Sequence, residues 1–148
     1  MDIYENLNEL LVILFNDIMD IEEKALITDE FKDITNNDMH IIEAIAKAEP
    51  KNMSTIAKAL SVTVGTLTIA INNLVKKGYV TRVRSEEDRR VVLLSLTEKG
   101  EAANKVHMQF HEDMIQAAIK YLSEEEAVVL AKTIENLKLF FAKYHEQN

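Results

Sequence analysis

The stretch MSTIAKALSVTVGTLTIAINNLVKKGYVTRVRSEEDRRVVLLSLT, Met53 to Thr97, decides how the rest of the chain is organised. It reads as a short helix, a tight turn, a longer helix and a basic hairpin. Ser54 with Ile56, Ala57 and Leu60 signals the first helix, an apolar face at helical spacing. Ser61 and Val62 fill the turn, and Thr63 is suited to cap the second helix. That helix sets Leu67, Ala70, Ile71 and Leu74 on one face, at i, i+3, i+4 and i+7. Its other face holds Gly65, Thr66, Thr68 and Asn72, small or polar groups able to approach a surface closely. Lys76, Lys77 and Gly78 close it with positive charge and a terminating glycine.

In the hairpin, Tyr79 to Arg84 and Val91 to Leu96 are β-branched or apolar runs joined by the charged loop SEEDRR. Arg82 and Arg84 share a strand face by their spacing of two, and Arg89 and Arg90 sit at the tip. A helix-turn-helix followed by such an arm resembles the winged helix-turn-helix of the MarR family of bacterial transcription regulators. The run KKGYVTRVRSEEDRRVVLLSLTEKG is similar to that family's wing, a more specific signal than a bare helix-turn-helix.

The totals agree with one mainly helical unit. The chain has 148 residues, 47% of them apolar, with one proline and no cysteine. No disulfide or thiolate metal site is possible, which suits a cytoplasmic protein. The opening MDIYENLNELLVILFNDIMD is apolar but acidic and lacks a basic leader and a small-residue cleavage site, so no signal peptide is expected. No apolar run approaches the ~20 residues of a membrane span. The net charge of −8 is unevenly spread. Residues 51–100 hold nine lysines and arginines against four carboxylates, and the remainder holds eight against twenty-one. Basic charge therefore gathers on the segment that carries the groove-reading motif, which points to DNA.

Taken in order, residues 4–26 form a first helix with the stripe Leu7, Leu10, Leu11, Leu14, Ile18 and Ile21. FKDI, residues 31–34, reads as an extended connector, and Thr35 opens a second helix with Met39, Ile42 and Ala46 inward, ending near Pro50. After the wing, Thr97 caps a long helix from Glu98 to about Leu122. Its opening EKG is polar and its inward stripe is Val106, Phe110, Met114, Ala117 and Tyr121. Ser123 and Glu126 form a capping-box pair for the last helix, where Ala127, Leu130, Ala131, Ile134, Leu137 and Phe141 repeat at three and four. The terminal helices hold more apolar surface than the central lobe can cover, so an isologous dimer is expected. The expected fold is mainly α, one MarR-type domain over residues 1–148. It comprises a winged helix-turn-helix lobe with a two-stranded β wing at 35–97 and a helical dimerisation region at 1–30 and 98–148.

In a helix-turn-helix the N-terminal part of the second helix enters the major groove, and a dimer reads two half-sites about one turn apart. Val64, Gly65, Thr66, Thr68 and Asn72 are thus the candidates facing bases and backbone. Threonine and valine methyls suit thymine methyls, and Asn72 suits adenine, which points to an A·T-rich palindrome. Where many family members carry a basic residue, this chain has Ile69, favouring apolar over guanine contacts. Asp88 and Arg90 match the family's D-x-R wing tip. That resemblance implies that Asp88 braces an arginine entering the minor groove, with Arg89 beside it on the groove or on phosphate. Ser54, Lys76, Arg82 and Arg84 are expected on phosphates, setting affinity and salt dependence.

Two readings of the signal stand side by side. Within the family, FKDI, VTVGTLTIAINNLVKKGYV and RVRSEEDRRVV, with FND…IEE and FHEDM, most closely resemble the repressors of fatty-acid-synthesis genes in low-GC Gram-positive bacteria. The resemblance implies a homodimeric repressor of the type II pathway, with long-chain acyl–acyl carrier protein as corepressor and no obligatory cofactor. The acidic carrier protein would need a basic patch, which residues 51–100 and scattered lysines supply. The acyl chain would need an apolar slot, for which Phe15, Phe31, Met39, Phe110 and Met114 are candidates, as they are for plain core. Alternatively, His107 and His111 stand at i, i+4 on one helix, a spacing that can share a metal. With His40 and Glu22 or Glu23 they resemble the ligands of a zinc-responsive relative that represses zinc uptake; the alternative, which is the favoured one, is that these imidazoles hydrogen-bond internally and hold the lobe to the dimer helices. His107 is followed by Met108 and Gln109, so the general-base glutamate of H-E-x-x-H proteases is missing. There is no cysteine nucleophile, no G-x-S-x-G and no phosphate-cradling loop among three glycines. An enzyme is not expected.

Overall fold

Local capping chemistry starts each helix of the central lobe. A computed structural model describes residues 2–26 and 30–147. The order is α1 (Ile3–Leu26), α2 (Asn36–Lys47), α3 (Met53–Ala59), α4 (Val64–Lys76), β1 (Val80–Arg84), β2 (Val92–Leu96), α5 (Glu98–Ile119) and α6 (Glu124–Gln147). The result is mainly helical with one antiparallel two-stranded sheet, as expected. Thr35 and Asp38 form a reciprocal capping box at α2. Asn52, not Ser54, caps α3, because its side-chain oxygen accepts from the Thr55 amide at 2.8 Å. Thr63 caps α4 as expected, accepting from the Thr66 amide at 3.1 Å.

The turn between α3 and α4 bends sharply at Ser61, whose φ is 56°, a left-handed conformation that a non-glycine residue adopts at some expense. α4 ends in a Schellman arrangement. The Tyr79 amide donates to the Leu74 carbonyl at 2.9 Å and that of Gly78 to Val75 at 3.1 Å, with Gly78 at φ 86°. The chain is thereby aimed into β1, which pairs with β2 in the register Val80↔Leu96 through Arg84↔Val92.

Leu67, Ile71 and Leu74 of α4 are buried against Ile42 and Ile45 of α2, Ile56 of α3, Leu94 of β2 and Ala103 of α5. Each such aliphatic side chain contributes about 1.5–3 kcal/mol on full burial. The packing fixes which face of α4 is left outside. Lys51 adds a polar tie, its ammonium donating to the carbonyls of Ile45 and Ala46 at 2.7 and 2.8 Å, where α2 ends. The backbone carbonyl of the same residue accepts from the Leu94 amide at 2.8 Å, joining this segment to β2.

Three expectations need correction. FKDI is a turn rather than an extended connector, with Phe31 and Ile34 buried in the core. α5 stops at Ile119, and Tyr121 beyond it is 86% exposed, while Ala117 is also exposed. The buried residues of α5 are instead Gly100, Ala103 and His107, with Val106 and Phe110 half-buried beside them. Gly100 is not merely part of a polar opening, since a Cβ there would lie 2.1 Å from the Tyr79 carbonyl oxygen.

The chain divides into two compact units, Met1–Phe110 and His111–Asn148. In the first, Leu7, Leu10, Leu14 and Ile21 of the α1 stripe are about half exposed. In the second, the Ser123–Glu126 capping box opens α6 as expected, and Ile134 and Phe141 are similarly exposed.

Candidate nucleic-acid interface

The outer face of α4, the start of α3 and the hairpin enclose an open cavity of about 660 Å³. Ser54, Val64, Thr68, Arg82, Arg84 and Arg90 line it, six residues named from the sequence, together with Asn52, Met53, Val83, Val91 and Val92, which were not. Gly65, Thr66 and Asn72 lie on the same exposed side of α4, and Ile69 and Val83 are exposed apolar residues beside them. Lys76 is exposed at the far end of α4, about 18 Å along the helix from Val64.

Several polar groups are already engaged. Thr66 shares a hydrogen bond with Thr63 at 3.0 Å, and the Thr68 hydroxyl donates back to the Val64 carbonyl at 2.8 Å. Asn72 accepts through its amide oxygen from Nη1 of Arg82. The pairing joins α4 to β1 and was not foreseen from the sequence, where Asn72 is aimed at adenine and Arg82 at phosphate.

At the wing tip Arg90 donates through Nε and Nη2 to the two carboxylate oxygens of Asp88, both at 3.1 Å, and its backbone amide donates to Asp88 as well. These bonds hold the Asp88 carboxyl below its ordinary range, the Arg90 side chain first and its backbone second. Arg84 donates to the Arg89 carbonyl at 2.8 Å, so a second arginine stiffens the same loop. The tip is therefore a constrained arginine mount, with Arg82, Arg84, Arg89 and Arg90 all exposed.

The other named residues are distributed differently. His40 and His107 do meet, their rings stacked with centroids 5.7 Å apart, and Nδ1 of the buried His107 lies 3.8 Å from a Glu43 carboxylate oxygen. His111 belongs to the second unit, and the side chains of Glu22 and Glu23 lie outside the described residues. Among the described residues no three histidine or carboxylate side chains are arranged to hold a metal ion. Of the candidates for an acyl slot, Phe31 and Met39 are buried in the core and Phe110 packs against it. Phe15 is exposed on α1, and Met114 is half-buried in the second unit. Among the described residues no single helix is long and apolar enough to cross a membrane.

Comparison with known proteins agrees with this geometry. Residues 34–92 match the sequence profile of the MarR family. The structure of Streptococcus pneumoniae FabT in complex with DNA is 43% identical, with a TM-score of 0.82, covering 95% of this chain and 98% of that one. The uncharacterised HTH-type transcriptional regulator YpoP of Bacillus subtilis is 32% identical over 104 residues, 70% of this chain and 72% of its own. The HTH-type transcriptional regulator SarZ of Staphylococcus saprophyticus is 30% identical over 116 residues, 78% of this chain and 76% of its own. A capped recognition helix, a braced arginine wing and these likenesses lead to one conclusion: the chain belongs to the MarR family, as a FabT-like, DNA-binding transcriptional regulator and not an enzyme.

Proposed function

We propose that this regulator represses type II fatty-acid-synthesis genes as a homodimer on an A·T-rich palindromic operator, with long-chain acyl–acyl carrier protein as corepressor. The observation that carries the reading is the likeness to FabT, at 43% identity over 95% of the chain. It agrees with the resemblance of FKDI and the wing sequence to repressors of that pathway. Support for the dimer comes from the half-exposed leucines of α1 and the exposed apolar residues of α6, since contiguous apolar faces of this kind mark partner surfaces. Val64, Gly65, Thr66 and Thr68 would face the major groove. Arg89 and Arg90, braced around Asp88, would take the minor groove, and Ser54, Lys76, Arg82 and Arg84 the phosphates. An acyl chain would have to part Phe31 and Met39 from the core, or use Phe15 or Phe110 in the first unit or Met114 in the second.

A corepressor must bind more tightly to the DNA-competent state than to the free one. The test is a titration of a fatty-acid-gene promoter duplex with this protein, with and without long-chain acyl–carrier protein, and then with zinc and a chelator. Tightening by the acyl carrier alone supports the reading. The second reading, a zinc-responsive repressor of metal-uptake genes, draws on the His40–His107 pair. Tightening by zinc that is abolished by chelator and by His107→Ala would favour it instead.

A further inference from the structure

We propose that Asn72 does not read a base but is a positioning residue that holds Arg82 of the wing against the recognition helix, so that helix and wing grip one phosphate together. The assignment rests on α4 and the wing being the DNA-contacting face, and on three observations.

First, Asn72 spends its amide oxygen on the guanidinium of Arg82. Recognition of adenine by asparagine is bidentate, with the oxygen accepting from N6 and the nitrogen donating to N7 in one plane. The contact with Arg82 takes one of the two lone pairs of that oxygen and ties the plane of the amide to the wing, so its orientation is set by Arg82 rather than by a base edge. Second, Asn72 is the ninth residue of the thirteen in α4, about 12 Å along the axis from Val64. The N-terminal part of a recognition helix is the part that enters the groove, and Asn72 lies about one turn beyond Thr68 and two turns from the helix start. Third, Arg82 lines the cavity between α4 and the wing together with Val64, Thr68, Arg84 and Arg90. A guanidinium offers five N–H donors, and the contact with Asn72 involves Nη1 only. The others suit a phosphate oxygen lying between helix and hairpin, and the amide sets the direction in which they point.

An arginine held in this way loses less side-chain freedom on meeting DNA than a free one. The role is thus distinct from that of Asp88, which orients Arg90 within the wing, because Asn72 couples two separate elements.

The experiment uses the full chain and a duplex enriched from a random library by the protein itself. Binding is measured by anisotropy between 50 and 200 mM salt for wild type, Asn72→Ala, Arg82→Ala, the double variant and Arg90→Ala. Thermal unfolding of each variant checks that it is folded. Arg82→Ala is expected to weaken binding about tenfold and to lower the slope of log K against log salt by about 1. Asn72→Ala should weaken all single-base variants of the duplex alike, reproduce most of that slope change, and add less than about twofold in the Arg82→Ala background. In the free protein it should also shift the Arg82 Nε–H resonance. If Asn72→Ala instead changes preference at one A·T pair, and does so equally without Arg82, Asn72 reads the base and the proposal falls. It falls equally if slope and preference both stay as in wild type. Loss of effect in both Arg82→Ala and Arg90→Ala would overturn the assignment of the DNA-contacting face, and the proposal with it.

Discussion

The Tyr79 hydroxyl donates to a carboxylate oxygen of Asp33 at 2.6 Å, joining the turn before α2 to the residue that leads into the wing, 46 positions later. Lys99 lies 4.4 Å from the centre of the same ring and 3.9 Å from the other Asp33 oxygen. The Tyr79 bond holds the Asp33 carboxyl below its ordinary value of 3.8, with Lys99 adding to the effect. Burial, followed by the bond to Asp33, drives the Tyr79 hydroxyl up.

Tyr79→Phe should therefore lower stability by about 1 kcal/mol at neutral pH, below the usual ~1.5–3 kcal/mol for a bond to a charged group because Asp33 is partly in water. The folded carboxyl titrates below the unfolded one, so its contribution is complete above pH ~4 and disappears as pH falls through the lower, folded value. Urea unfolding at pH 7 and pH 3 should show the gap between wild type and variant narrowing in acid. A gap that widens in acid would refute the assignment.

Gly100→Ala sets two effects against each other. In a helix alanine is favoured by about 1 kcal/mol, but here its Cβ meets backbone, the Tyr79 carbonyl, at 2.1 Å. Backbone cannot rotate away as a side chain can, so overpacking should win and destabilise by about 1–3 kcal/mol. Chemical denaturation decides the sign.

At the wing tip, Arg90→Ala should weaken binding to A·T-rich duplexes by about 1–3 kcal/mol and lower the salt slope by about 1. Asp88→Ala keeps the arginine but frees it from the two bonds at 3.1 Å. It should retain the slope while losing discrimination in favour of narrow minor grooves. Parallel footprints at two salt concentrations separate the two outcomes.

If the exposed α1 stripe forms the dimer, Leu14→Glu buries a charge there and should yield a monomer by light scattering, with operator affinity greatly reduced. A variant that stays dimeric would move the interface elsewhere.

What was legible beforehand follows signal strength. α4 and the hairpin combine a sustained apolar period, a capping threonine, a closing glycine and alternating strands, and all of these agree. The turn at FKDI was misread because Phe31 and Ile34 look like strand residues, and only the distant partner Tyr79 makes a turn the better state. The inward face of α5 was read only in part, Val106 and Phe110 packing on the core as expected and the rest being missed for a related reason. Gly100, Ala103 and His107 carry little hydrophobic signal, and their burial reflects a close approach to Tyr79 and to the second helix. The Asn72–Arg82 contact was hidden because each residue has an adequate role alone, and only the fold brings a helix face and a strand face together.

Lys51 is a rivet. Its side chain is fastened to the end of α2 and its backbone to β2, so the hairpin has no hinge of its own at that seam. Lys51 thus ties the end of α2 to the strand that runs back from the wing tip, and a Lys51→Ala variant would cut the side-chain half of that tie while leaving the Leu94 bond in place.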